Sequence, residues 1–236
     1  MKKEKKTVKK ETKKQEKHEV VLSLNNVSYR YRDADKDDYV LRGITYSFEK
    51  GKTYAIKGRS GSGKTTLLSL ISGLEKKYEG EITYKDKSLS KMNLDNYRSQ
   101  NVGIVFQSYN LLPHLTALEN IILSMDISKV KVDDKKKLAR ELMGQVGLDE
   151  SLATRRILKL SGGEQQRIAI ARSLSYNPEI ILADEPTGNL DHDTENEILK
   201  IFNNLAHEQN KCVIIVTHSQ NVCSLVDEVY ELKKKK

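Results

Sequence analysis

Eight consecutive residues, Gly58, Arg59, Ser60, Gly61, Ser62, Gly63, Lys64 and Thr65, match the pattern G-x-x-x-x-G-K-[ST] in full, and Thr66 follows them. Such a run can bind a phosphate chain. Glycines let the backbone curl until successive N–H groups point inward at anionic oxygens, and a helix opening on the loop adds its unpaired donors and positive dipole end. Lys64 would face the two outer phosphates as a point charge, and the Thr65 hydroxyl would ligate Mg²⁺. A metal-bound triphosphate also needs a carboxylate. The run E-I-I-L-A-D-E, Glu179 to Glu185, is an apolar stretch ending in two acids. Asp184 suits the Mg²⁺ role, acting through water, and Glu185 suits alignment of an attacking water, since phosphoryl transfer is mainly positioning and charge stabilisation. A third constellation, Ser161-Gly162-Gly163 ahead of an apolar-periodic run, reads as a second anion-seeking helix start.

These groups work only if strands and helices deliver them to one place. From Val20 the chain reads as short strands: VVLSL, then Tyr39 to Phe48, then TYAIK at Thr53 to Lys57, which runs into the glycine loop. Asp33 to Asp38 is a polar turn, and Lys64 to Leu74 has the spacing of a buried helix. A further strand pair follows, EITYKDK and then VGIVFQ at Val102 to Gln107. From Thr116 to about Val146 apolar residues recur at helical spacing. After Ser161 the alternation is helix, strand (EIILAD), helix (TENEILKIFNNLAHE), strand (CVIIVTH). Apolar β-branched runs alternating with helices predict a parallel α/β sheet, interrupted by a helical insert of roughly 50 residues before Ser161.

The composition has 37% hydrophobic and 31% charged residues. No stretch approaches the roughly 18 apolar residues of a membrane span, and no apolar core follows the charged start, so a cytoplasmic chain is expected. The net charge of +8 sits at the ends: the first 19 residues account for +5 and the last four for +4, leaving −1 for residues 20–232. A nucleic-acid partner is therefore not expected. The two ends read as solvated, disordered tails, with attraction to an anionic leaflet as the alternative. Cys212 and Cys223 are too few for a disulfide framework or zinc site and read as packing thiols.

The run L-S-G-G-E-Q-Q-R, Leu160 to Arg167, closely resembles the signature motif of the ABC ATPases. That resemblance covers about residues 20–232 and implies an α/β P-loop NTPase core with an antiparallel β-subdomain at its start and a helical subdomain near 108–160. It implies an ATP- and Mg²⁺-dependent ATPase that forms a head-to-tail homodimer. In that dimer Leu160, Ser161, Gly162, Gly163, Glu164 and Gln165 cap the nucleotide held by the opposite subunit. It further implies that Gln107 reaches the Mg²⁺ and the attacking water and senses a membrane permease. Asn189, Leu190 and Asp191 would form the loop that crosses the dimer interface, and His218 would contact the γ-phosphate. Tyr31 would stack on adenine, with Tyr29 the alternative.

The segments S-Y-N-L-L-P-H-L-T-A-L-E-N and A-D-E-P-T-G-N-L-D look most like the macrolide-exporter, lipoprotein-release, cell-division and bacitracin-resistance ATPases. The resemblance thus places the chain at the inner face of a membrane through its permease, with a peptide, antimicrobial or lipoprotein as cargo. The same motor could instead regulate a cell-wall enzyme through a membrane partner. A soluble relative acting on nucleic acid would carry a coiled-coil or zinc insertion, which is not found here. Ile157 stands where the family often has proline and Ser219 where it often has an acid. The chain ends on its last strand and a lysine run, against an appended regulatory domain. Tyr109 and His114 are read as exposed positions on the permease-facing side.

Overall fold

The computed structural model describes residues 19–31, 33, 35 and 37–233. The readings on the lysine-rich ends, residues 1–19 and 233–236, fall almost wholly outside these. In chain order the elements are β1 (Val20–Tyr29), β2 (Leu41–Glu49), β3 (Thr53–Lys57), α1 (Lys64–Ile71), β4 (Glu79–Tyr84) and β5 (Lys87–Ser88). Next come α2 (Leu94–Asn101), β6 (Val102–Val105), α3 (Ala117–Ile127), α4 (Lys135–Gln145) and α5 (Gly162–Leu174). The chain closes with β7 (Ile180–Asp184), α6 (His192–His207), β8 (Cys212–Thr217), α7 (Gln220–Ser224) and β9 (Glu228–Glu231).

Two sheets form. One is antiparallel in the order β2-β1-β4-β5, and the other has the order β6-β7-β8-β3-β9 with each pairing parallel. The parallel strands β3, β7 and β8 are buried along almost their whole length. Strand alternation sorts their side chains between two apolar clusters. Ile181, Ala183, Val213 and Ile215 face Ile168 of α5, Phe202 of α6 and the α3–α4 side chains Ile121 and Met143. Ile180, Leu182, Ile214, Val216, Tyr54 and Ile56 face Leu67 and Ile71 of α1, Tyr97 of α2 and Phe48 of the antiparallel sheet. Cys212 is a buried thiol of this second cluster, and burial raises its pKa; Cys223 is half-buried and also free.

Several boundaries differ from the sequence reading. The first strand runs on to Tyr29, and α1 stops at Ile71 because Gly73 takes a left-handed φ of 71°. The two runs read as a strand pair are not partners: β4 joins the antiparallel sheet, while β6 is an edge of the parallel one. Between them lies α2, which periodicity does not reveal because its eight residues hold only Leu94 and Tyr97 as large apolar side chains. Its start is fixed by the Asn93 side chain, which accepts from the Asn96 N–H at 2.9 Å. The stretch 108–160 holds α3 and α4, which pack on α5, and α3 opens on a capping box between Thr116 and Glu119. Among the described residues no helix is long and apolar enough to cross a membrane.

Glu179, just before β7, ties the two sheets together. It accepts from Tyr84 Oη at 2.5 Å, Lys85 Nζ at 2.7 Å and Lys50 Nζ at 3.2 Å. Burial alone would raise its pKa, but the hydrogen bonds from Lys85, Tyr84 and Lys50 outweigh that and bring it down to about 2. A carboxylate depressed in the folded state stabilises the protein above its unfolded pKa of about 4.3, and the gain is lost as pH falls toward the folded value. Thermal unfolding should therefore show Glu179→Gln less stable than the unmodified chain at pH 7, with the gap closing between about pH 4.3 and pH 2. A gap that does not change with pH would mean that the carboxylate charge is not what joins the sheets.

Candidate functional site

Because β3, β6, β7 and β8 run parallel, their C-terminal ends open on one edge, where open α/β sheets bind ligands. The glycine loop leaves β3, Asp184 ends β7 with Glu185 next, His218 follows β8, and Gln107 follows β6 by two residues. Together they border a cleft of about 800 Å³ lined by Tyr31, Arg59, Ser60, Gly61, Gly63, Lys64, Thr65, Thr66, Gln107, Asp184, Glu185 and His218. Val40 also lines it, a residue that carries no chemical signal in the sequence. Two members of the eight-residue run lie behind the cleft wall. Ser62 is buried, and Gly58 contributes its carbonyl, which accepts from Lys64 Nζ at 2.8 Å.

The loop curls as the sequence demands. Gly63 caps α1 with φ 91°, and a Cβ there would lie 2.9 Å from Leu41 Cδ2. A Cβ on Gly58 would lie 2.3 Å from Ser62 Oγ. Gly63 thus requires glycine for its φ, and Gly58 for space, since the Leu232 carbonyl would lie 2.9 Å from a Cβ there.

Across the cleft, Thr65 Oγ1 donates to Asp184 Oδ2 at 3.3 Å. Burial raises the Asp184 pKa; the Thr65 hydroxyl works against this and the neighbouring Glu185 adds to it. Glu185 sits at φ 46°, a left-handed conformation uncommon for a side chain of its size. Its carboxylate lies 2.9 Å from His218 Nδ1 and 3.7 Å from Lys64 Nζ, and it accepts from the His218 backbone N–H at 3.2 Å. The His218 ring itself is exposed. Gln107 rests against Gly188, where a Cβ would lie 3.1 Å from the Gln107 amide nitrogen.

Tyr31 and Tyr29 occupy different environments. Tyr29 is buried, with 7% of its surface exposed, whereas Tyr31 is 54% exposed and lines the cleft, its hydroxyl 3.1 Å from Thr66 Oγ1. The two rings meet edge to face at 5.2 Å.

The signature run is not brought to this cleft. Leu160 is buried, while Ser161 caps α5 in a capping box with Glu164, accepting from its N–H at 3.2 Å. Gln165 Nε2 donates to the Leu160 carbonyl at 2.9 Å. Ser161 and Gly162 face outward, and a Cβ on Gly163 would lie 2.8 Å from Thr194 Cγ2 of α6. Asn189 is exposed and Leu190 packs on the helical cluster, while the Asp191 carboxylate caps α6, accepting from Thr194 N at 2.9 Å and Oγ1 at 2.7 Å.

The two departures from the family pattern are accommodated locally. Ile157 is buried in a short 3₁₀ turn. The Ser219 hydroxyl caps α7 and donates to Glu195 Oε1 at 3.1 Å. Glu195 also accepts from Thr187 Oγ1 at 3.1 Å and Asn221 Nδ2 at 2.9 Å, so it joins the segment after Glu185 to the one after His218, a link the sequence does not signal. Tyr109 differs from the reading: it is half-buried against the helical cluster, whereas His114 is exposed. Among the described residues no group of three or more His, Cys, Asp or Glu side chains forms a metal cage.

Comparison with known proteins agrees with this geometry. The ABC transporter family matches residues 41–188. An uncharacterised ABC transporter ATP-binding protein of Bacillus subtilis, YclH, is 46% identical over 88% of this chain and 91% of its own. The lipoprotein-releasing system ATP-binding protein LolD of Francisella tularensis is 38% identical over 91% of this chain and 94% of its own. The dimeric structure of MJ0796, a bacterial ABC transporter cassette, superposes with a TM-score of 0.82 at 37% identity, covering 90% of this chain and 94% of that one. A dimeric post-hydrolysis state of the same cassette, bound to ADP and Pi, gives 0.82 at 35% identity, covering 91% and 97%. The chain belongs to the ABC transporter family, as one of its ATP-binding, ATP-hydrolysing subunits.

Proposed function

We propose that two copies of this chain close head to tail over two MgATP and that opening of this sandwich on hydrolysis drives a separate membrane permease. The observation that carries the reading is that Ser161 and Gly162, a helix start of the kind that binds anions, face outward and away from their own chain's cleft. A second subunit related by a two-fold axis places each signature over the other's cleft. The dimeric cassettes of known structure support this arrangement.

Within one cleft, Lys64 binds the outer phosphates, Tyr31 offers its face to adenine, and Glu185 orients the attacking water. Glu185 is held for that task between Lys64 and His218. Its left-handed backbone is a strain of about 1–3 kcal/mol that persists where surrounding structure enforces it. The Thr65 hydroxyl and Asp184 carboxylate are hard oxygen donors and fit Mg²⁺, which takes few protein ligands and keeps waters and phosphate oxygens. When bound, the ion would neutralise charge on the phosphates. Gln107 and His218 border the same space and would respond to the γ-phosphate.

The permease docks, in this reading, on a groove of about 690 Å³ walled by α2, β6 and the ends of α3 and α5. Phe106 lines this groove while its neighbour Gln107 lines the nucleotide cleft, so one short loop touches both. Ile127 on the groove wall is 68% exposed, an apolar contact for a partner helix. Coupling held in this way places the chain at the cytoplasmic face of the membrane. The likeness to LolD supports a lipoprotein or another amphipathic peptide as cargo.

Lys64→Ala should abolish tight ATP binding, and Glu185→Gln should keep binding while losing hydrolysis, as read by nucleotide titration and phosphate release. Equal loss of binding in both would contradict the division of roles. In light scattering, Glu185→Gln should pass from monomer to dimer with MgATP and stay monomeric with ADP. A dimer indifferent to nucleotide would remove the sandwich. Ile127→Glu should abolish stimulation of turnover by the reconstituted permease and leave turnover of the isolated subunit within about threefold, as a change on a docking surface should. Undiminished stimulation would place the docking surface elsewhere.

A further inference from the structure

The loop after Gln107 is held in an unusual way. Tyr109 and Asn110 both have positive φ, 61° and 50°. Asn tolerates this conformation, but a residue as bulky as tyrosine does so rarely. Both carbonyls that this pair presents are taken by a single side chain. Arg172, in the last turn of α5, donates from Nη2 to the Tyr109 carbonyl at 2.8 Å and from Nη1 to the Asn110 carbonyl. Among the described residues Arg172 makes no salt bridge, and its side chain is half-buried, which lowers its pKa. A partly desolvated cation thus donates to two neutral carbonyls of one strained loop.

The other end of the same helix meets the same loop. A Cβ on Gly162, the first residue of α5, would lie 3.2 Å from the Tyr109 hydroxyl. Ten residues of helix span about 15 Å. Helical side chains lean toward the N-terminus, so the Arg172 arm covers the C-terminal part of that span and the Tyr109 ring the rest. Residues 109–110 therefore form a strap along α5, pinned at one end by Arg172 and resting at the other on the signature.

We propose that Arg172 is a positioning residue for ATP hydrolysis. By clamping the strap, it makes the Gln107 loop of one cleft and the signature helix that serves the opposite cleft move as one body. A change at Gln107 then repositions Ser161 and Gly162 of the same chain, so each site's nucleotide state biases closure over the other. The inference rests on the sandwich reading above. A merely structural Arg172 would affect stability, nucleotide affinity and turnover together, whereas a clamp affects closure and turnover while sparing the phosphate loop.

The test uses the full chain without permease, because Arg172 and Asn110 also line the groove. Arg172→Lys keeps the charge but lacks the planar fork that spans two carbonyls, and Arg172→Met removes both. Should Arg172→Met fail to fold, Arg172→Lys carries the test. Amide hydrogen exchange of residues 107–112 should quicken by about tenfold or more, with the strands of the parallel sheet unchanged. MgATP-driven dimerisation in the Glu185→Gln background, and kcat in the hydrolysing chain, should fall roughly ten- to hundredfold. The monomer's affinity for a fluorescent ATP analogue and KM should stay within about threefold, with Arg172→Lys milder than Arg172→Met. Unchanged exchange at 107–112, or a uniform loss of affinity, turnover and core protection, would overturn the proposal. A Glu185→Gln parent that remains monomeric with MgATP counts against the sandwich itself, and the exchange and kcat measurements still decide the clamp.

Discussion

The parallel register of β6, β7, β8 and β3 is the constraint on which the rest depends. Lys57 pairs with Thr217 and Asp184 with Val216, so three buried strands stop within a residue of one another and release their loops side by side. Such strands need apolar cover on both faces. The two clusters provide it, one from α3 to α6 and one from α1, α2 and the antiparallel sheet. Given that edge, the glycine loop, Asp184, Glu185 and His218 converge without any long-range search. The glycines then decide whether the backbone can approach a phosphate chain, and Gly63 could not carry a side chain without striking Leu41.

Charge in the cleft is arranged around one carboxylate. Glu185 lies within reach of both Lys64 and His218 on a left-handed backbone, and the carboxylate of Glu195 braces the segments beyond Glu185 and His218. One chain nevertheless supplies an incomplete enclosure. Its signature stands outside, with Gly163 against α6 and Gly162 beneath Tyr109, so in the proposed sandwich the segments that would act on a second subunit are packed against the loop that follows Gln107. The proposed sandwich would in this way link binding, closure and the response of the Gln107 loop through packed side chains with few degrees of freedom.

Much of this was legible in the sequence for a definite reason. The glycine loop, the E-I-I-L-A-D-E strand and the V-I-I-V-T-H strand announce themselves because backbone conformation and burial restrict residue type there. The helix α2 stays hidden because its two apolar residues give no period, and the partners of β4 and β6 stay hidden because pairing is a matter of topology, which alternation does not encode. That Tyr31 lines the cleft while Tyr29 is buried is a matter of exposure, which neighbours two residues apart on a strand end do not reveal in sequence. Tyr109 looked like a surface residue because its neighbours are polar, yet it is half-buried along α5. Arg172 and Glu195 carry no motif at all; their meaning lies in contacts between segments distant in the chain.

The central claim is that each nucleotide is enclosed by the phosphate loop of one chain and the signature of another, and mixing two inactive variants tests it most directly. Lys64→Ala keeps an intact signature, and Ser161→Arg keeps an intact phosphate loop. If the site is completed between chains, an equimolar mixture contains heterodimers with one intact composite site, and hydrolysis should rise well above the sum of the two variants, to a ceiling of roughly a quarter of the unmodified rate for random pairing. Recovery no greater than the sum of the two variants measured separately would show that the signature serves its own chain's nucleotide, and the head-to-tail account would fail.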